Sequence, residues 1–299
     1  MSGHDHWRST AGQHRERLLA VLLLSLAVLA VEVAGGLLTG SLALLADAGH
    51  MLTDVAGVGL ALLAIWFAAR PASAERTFGY YRLEILATVV NAMLLLAVAA
   101  GVLVEAWRRL LAPPQVASGP MLAVAAVGLA ANGASVWLLR HGQAESLNLR
   151  GAYLEVLGDL LGSAAVVVAA ATIGLTGFRA ADPIASVLIG VLILPRTWGL
   201  LRDAVDVLLE ATPKGVDLGM VRRHIQEIPG VAGCHDLHAW TITTGMAVVS
   251  AHVVLEGEAD GAKVLDRLGD CLAGHFDIEH CTFQLERPEH QEHEGATHP

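Results

Sequence analysis

The chain has 299 residues, of which 54% are hydrophobic and only 16% charged, and its formal net charge is −10. A water-soluble fold of this length cannot conceal so much apolar surface, and a disordered chain is far more polar, so both are excluded in favour of a membrane protein with a modest polar part. The 29 acidic residues against 19 basic ones, with lysine only at Lys214 and Lys263, also exclude a typical nucleic-acid binder.

Residues 1–17 are polar and carry His4, Asp5 and His6. They lack the short apolar core and cleavage site of a secretory signal, so they read as a cytoplasmic N-terminal segment. A spanning helix needs about 20 apolar residues. Six stretches meet that length: Leu18–Leu38, Leu42–Ala69, Leu83–Ala106, Pro120–Leu139, Gly151–Leu175 and Pro183–Leu201. Gly40 and Ser41 form a very short first connection, Arg70–Arg82 the second, and Pro113-Pro114 ends the third span. Asp182-Pro183 reads as the N-cap of the sixth span, with Pro at the first helical position.

Basic residues set orientation. Arg8, Arg15, Arg17, Arg70, Arg76, Arg82, Arg140, Arg150 and Arg202 fall on one side, against Arg108, Arg109 and Arg179 on the other. Nine against three places both termini in the cytoplasm. The transmembrane domain is therefore expected over residues 18–206.

Beyond about Glu210 the pattern becomes that of a soluble domain, residues 207–287. Val216–Ile228 reads as an amphipathic helix. Cys234–Thr243 and Met246–Glu256 alternate as strands about a Thr244-Gly245 turn. Ala259–His275 is a second helix and Ile278–Glu286 a third strand. The α-β-β-α-β order suggests a small two-layer α+β domain. Residues 288–299 are polar, contain His290, His293 and His298, and are expected to be disordered. Three cysteines, Cys234, Cys271 and Cys281, are an odd number and fit a reducing compartment rather than a disulfide framework.

Ionisable residues at bilayer depth are costly, so each is a functional candidate. The second span carries Asp47, His50 and Asp54; the fifth carries Glu155 and Asp159. His50 and Asp54 are four apart, as are Glu155 and Asp159, so each pair shares a helix face. The pattern ligand-x-x-x-Asp-x-x-Gly recurs in His50-Met-Leu-Thr-Asp54-Val-Ala-Gly57 and Glu155-Val-Leu-Gly-Asp159-Leu-Leu-Gly162. If the two faces meet, three carboxylates and one imidazole converge, and they repel one another unless a cation joins them. Four N/O donors suit tetrahedral Zn²⁺. Gly57, Gly59 and Gly162 would let the helices approach closely. A single pair of this kind is also explained by hydrogen bonding between helices; the repetition argues for the metal. Asp47, almost one turn before His50, is a candidate acid of the access pathway. Glu32, Glu84, Asn91, Glu105 and Asn132 read as cavity-lining or packing residues.

In the soluble domain, His235 and His238 sit three apart and strict alternation places them on opposite faces. His252 lies on the paired strand, opposite either of them, and Glu286 ends the third strand. All are equally explained as surface polar residues of a small sheet. Cys234 and Cys281 could ligate zinc but read more simply as packing residues.

These residues carry a resemblance. The chain resembles the cation diffusion facilitators, in particular their bacterial cobalt–zinc–cadmium efflux branch, over about residues 15–287. The likeness rests on Ser41-Leu-Ala-Leu-Leu-Ala-Asp-Ala-Gly-His50-Met-Leu-Thr-Asp54, Thr77-Phe-Gly-Tyr-Tyr-Arg-Leu-Glu84, Asn148-Leu-Arg-Gly-Ala-Tyr-Leu-Glu155-Val-Leu-Gly-Asp159, Leu194-Pro-Arg-Thr-Trp198 and His235-Asp-Leu-His-Ala-Trp240. The resemblance implies six spans and a cytoplasmic ferredoxin-like domain. It also implies a homodimer in the bacterial inner membrane that exports divalent metal, Zn²⁺ above all and also Cd²⁺ or Co²⁺, in exchange for protons by alternating access. It implies a transport site of His50, Asp54, Glu155 and Asp159, and cytoplasmic metal ligands His235, His252 and Glu286. His238, His4 and His6 are further candidate ligands, and no organic cofactor is implied. Zinc-specific members often carry His where Glu155 stands, and a harder oxygen ligand broadens selectivity. Some relatives carry a His pair between spans two and three; Arg70–Arg82 has none, so no metal site is expected there.

Two rivals belong to other classes. An intramembrane metalloenzyme needs a water-activating base and an open coordination position, and no separate nucleophile or His-Glu-x-x-His motif is present. A metal sensor acting through the soluble domain leaves the membrane acids unexplained. The chain is read as a carrier, not an enzyme.

Overall fold

The computed structural model describes residues 15–140 and 147–293. His4, His6 and His298 lie outside them. Six long helices come first: α1 (Arg15–Thr39), α2 (Leu42–Ala68), α3 (Leu83–Leu111), α4 (Ser118–Leu139), α5 (Leu147–Thr176) and α6 (Ala181–Leu208). All six are long and apolar enough to cross a membrane. Their outward faces keep Leu23, Leu38, Leu62, Trp66, Leu111, Val168 and Leu175 exposed. An apolar exterior on this scale matches lipid rather than water. The expected spans are found, with α3 and α6 running several residues past their expected ends.

The chain separates into two compact units, residues 1–59 with 90–199, and residues 60–89 with 200–299. In the first, α4 packs along α5 and against α1. Small residues allow close approach in its core: Ala43, Ala46, Ala125, Ala169, Ala170 and Ala185 pack with Leu44, Met121 and Ile173.

Asp182 does not cap its own helix. It lies inside the first turn of α6, fully buried, and reaches the start of α2. There its carboxylate accepts from the Ser41 hydroxyl (2.6 Å) and from the backbone N–H groups of Leu42 (2.9 Å) and Ala43 (3.2 Å). Arg109 stands 3.8 Å away. The tight Gly40-Ser41 connection leaves the first N–H groups of α2 without helical partners, and in an apolar surround such donors need an acceptor. An acid one helix away supplies it, together with a favourable charge at the helix N-terminus.

The second unit contains the soluble domain: α7 (Leu218–Gln226), β1 (Val231–Thr243), β2 (Met246–Leu255), α8 (Gly261–Phe276) and β3 (His280–Glu286). This is the expected α-β-β-α-β order. β2 is central, antiparallel to β1 and parallel to β3. Asp217 and Asp260 cap α7 and α8, each side chain accepting two backbone N–H groups. Both helices cover one sheet face, where Val221, Ile225, Val249, Val253, Val264, Leu268 and Leu272 form the core. A 3₁₀ helix, Pro288–His293, follows β3, so the segment expected to be disordered opens with a turn; proline's fixed φ suits that first position.

The same unit holds the segment before α3. Glu84, expected as a cavity or packing residue of the third span, instead accepts from the hydroxyls of Thr243 and of Thr244 (2.9 Å), at the β1–β2 turn. Arg82 pairs with Glu210 at 2.7 Å, and Phe78 meets the His280 ring edge-on at 5.5 Å. Asp182→Ala is expected to destabilise the membrane unit by about 2 kcal/mol, the loss of a buried cap. Thermal unfolding in detergent measures it, and Asp182→Asn is expected to retain part of the loss.

Candidate metal centre

His50 and Asp54 lie on consecutive turns of α2, and Asp159 faces them from α5. His50 Nε2 is 3.5 Å from Asp54 Oδ2 and 3.8 Å from Asp159 Oδ1. One ligand atom from each of the three lies within 4.8 Å of the others. Asp159 is buried, and its Oδ1 and His50 Nδ1 have no hydrogen-bond partner. Buried polar atoms are nearly always satisfied, so a converging imidazole and two carboxylates left in this state are suited to a cation.

Glu155, the fourth expected ligand, stands apart from this cluster. It lines the same cavity of about 390 Å³ as Asp54 and Asp159, between α1, α2 and α5. Its Oε2 faces Arg196 Nη2 at 3.6 Å. Arg196 is the residue that sequence reasoning missed. It sits inside the Leu194-Pro-Arg-Thr-Trp198 motif, but on a different helix whose facing could not be read from spacing. Its guanidinium occupies the carboxylate that a metal would need.

Two of the three glycines make room for a side chain of another helix rather than for its backbone. A Cβ on Gly57 would lie 2.6 Å from Asn91 Nδ2, and one on Gly162 2.6 Å from Asp47 Oδ1. Among the described residues, a Cβ on Gly59 would meet nothing within 4 Å, so no close approach is seen there. Asp47 is not at an opening: it is 1% exposed and accepts from Ser163 Oγ at 3.3 Å, and Asn132 donates to the same hydroxyl at 3.1 Å. Glu32 is equally buried, its oxygens without hydrogen-bond partners. Glu105 instead pairs with Arg109 on its own helix at 3.0 Å.

A second cluster lies on the soluble domain, on the sheet face opposite the helices. His235 pairs with His252 across β1 and β2, and Glu286 comes from β3. His252 Nδ1 is 2.8 Å from Glu286 Oε1, and His235 Nε2 is 3.3 Å from Glu286 Oε2. Each strand thus contributes one donor to one spot, and an N,N,O set of this spacing fits a borderline divalent ion.

His238 does not lie on the opposite face from His235. Between them the ladder is irregular, and Asp236 takes φ 45°. The inserted residue offsets the alternation, so both imidazoles share the outer face. His238 lies beside Asp236 and His252 in a shallow pocket, outside the close cluster. Cys234 is buried in the core and Cys281 packs against it, away from the histidines. Burial pushes both thiols above their usual range.

Comparison with known proteins decides the family. Residues 18–209 match the cation efflux transmembrane domain, and residues 213–288 match the cation efflux protein cytoplasmic domain. The chain belongs to the cation efflux family. Among its relatives is the metal cation efflux system protein CzcD of Cupriavidus metallidurans, 46% identical, covering 99% of this chain and 94% of its own. The zinc transporter ZitB of Escherichia coli is 43% identical over 95% of this chain and 91% of its own. A cadmium, cobalt and zinc/H⁺–K⁺ antiporter of Bacillus velezensis is 38% identical over 96% and 93%. Membership of the cation efflux family sets aside the metalloenzyme and sensor alternatives.

Two expectations follow for this family member. Arg196→Gln removes the cation that competes for Glu155, and is expected to tighten Zn²⁺ binding in the membrane unit about fivefold, from roughly 1 kcal/mol for a part-exposed pair; titration calorimetry reads it, and unchanged or weaker binding counts against competition. Glu286→Gln keeps shape but removes charge, and is expected to weaken Zn²⁺ at the soluble-domain cluster by about tenfold or more while sparing the membrane site.

Proposed function

We propose that the chain is a six-span exporter of divalent metal, Zn²⁺ above all and Cd²⁺ or Co²⁺ besides, exchanging metal for protons. The single observation that supports it most is the convergence of His50, Asp54 and Asp159, with Glu155 lining the same cavity. The relatives' names support the substrate class and the proton as counter-ion.

In this mechanism the ion is cargo. It enters from the cytoplasm and is held by His50, Asp54 and Asp159, with Glu155 released from Arg196 to complete four donors. Ligands take metal only when deprotonated, so metal and protons compete for one set of groups. Rearrangement of the helices opens the site outward, in the manner of alternating access, and protons arriving there displace the ion. Asp47 and Glu32, buried beside the cluster, extend the acidic interior beyond the ligands. The soluble domain holds metal at His235, His252 and Glu286 and joins two protomers in a homodimer. The positive-inside bias supports a bacterial inner-membrane protein with both termini cytoplasmic. The boundaries 18–206 and 207–287 serve as the functional division.

Everted vesicles with an acidic lumen test this. Zn²⁺ uptake is expected to rise with the inward-acid gradient and to fall as the outer medium is acidified, since protons then occupy the ligands. Asp54→Ala and Asp159→Ala are each expected to reduce uptake to the level of empty vesicles while the protein remains folded and dimeric. Uptake indifferent to the gradient removes the antiport claim, and full uptake by either variant removes the site.

A further inference from the structure

The helical side of the soluble domain carries a third group of metal-type donors that export does not use. His224 lies in the last turn of α7, and Cys271 and His275 lie four apart on one face of α8. Cys271 Sγ is 3.8 Å from His224 Nδ1. The His224 and His275 rings meet edge to face at 4.9 Å. One ligand atom from each residue lies within 4.8 Å of the others. Tetrahedral zinc bonds, about 2.3 Å to sulfur and about 2.0–2.1 Å to nitrogen, set neighbouring donors roughly 3.3–3.6 Å apart. Small side-chain rotations therefore bring this set to bonding geometry.

The surroundings favour that use. His275 Nδ1 lies 3.1 Å from the Cys271 carbonyl. A carbonyl only accepts, so Nδ1 carries the hydrogen, and Nε2 keeps its lone pair for a metal. Phe276 packs edge-on against the His224 ring at 5.2 Å and limits its rotation. Glu227 is the C-cap of α7, three residues beyond His224. The sheet separates this group from the His235–His252–Glu286 cluster, which lies on the other face.

We infer that His224, Cys271 and His275 form a third metal site, an N₂S set for a borderline-soft divalent ion of the Zn²⁺ class, tying α7 to α8. Thiolate and imidazole donors select such ions over Mg²⁺ and Ca²⁺. Without the ion the two helices are held by apolar packing among Val221, Ile225, Val264, Leu268 and Leu272. With it, the domain gains a link that unfolding must break.

The full-length protein in detergent, stripped by chelator and loaded with Co²⁺, provides the test. Thiolate ligation adds a charge-transfer absorption that N/O sites lack. That band is expected in the unaltered chain and in Cys234→Ser and Cys281→Ser, and is expected to vanish in Cys271→Ser and fade in His224→Gln. A second measurement needs no variant: Zn²⁺ is expected to slow alkylation of Cys271, followed by peptide mass spectrometry, by about tenfold or more while leaving Cys281 unaffected. A band that persists in Cys271→Ser or follows Cys234 or Cys281 overturns the site, as does Cys271 alkylated at the same rate with and without Zn²⁺. Neither readout depends on transport, so the site stands or falls apart from vesicle uptake.

Discussion

Negative charge held where water cannot reach is the constraint around which the membrane unit is built. An unpaired carboxylate deep among apolar helices is costly, and the cost falls only when a cation, a proton or a donor arrives. Asp182 resolves it with hydrogen bonds: a hydroxyl and two backbone N–H groups at the start of α2, with Arg109 nearby. Asp47 is only partly served by Ser163. Asp54 and Asp159 both face His50, at 3.5 and 3.8 Å. A divalent ion is one species that such a cluster of donors is suited to hold.

Arg196 marks the rim of that arrangement. Its guanidinium stands 3.6 Å from the Glu155 carboxylate. Its exposure keeps the pair weak. Pro195, immediately before it, removes one backbone N–H from the helical ladder of α6. The arginine that faces Glu155 thus sits at a locally weakened turn.

The soluble unit answers a different problem, ordering polar donors on a small sheet. Three strands each bring one potential donor to the outer face, and the core beneath them fixes the strand register. The β1–β2 turn is tied to the first turn of α3 through Glu84, so the hairpin that carries His235 and His252 is hydrogen-bonded to a spanning helix.

Much of this was legible in the residues alone. Long apolar runs define spans because lipid leaves backbone groups no other partner than their own helix. The spacing of His50 with Asp54, and of Glu155 with Asp159, places each pair on a face because helical periodicity is local. The succession of strands and helices in the soluble domain follows from alternation and a two-residue turn for the same reason. Spacing along one element cannot say which face meets another. The three-dimensional packing alone decided that Asp182 caps a neighbouring helix, that Glu155 turns to Arg196, and that Gly59 meets nothing. It also decided that one irregular residue at Asp236 brings His238 round beside His235, and that His224 meets Cys271 across two helices. Local periodicity is written in neighbouring residues, whereas the encounters of Asp182, Glu155 and His224 depend on the folding together of segments tens to more than a hundred positions apart.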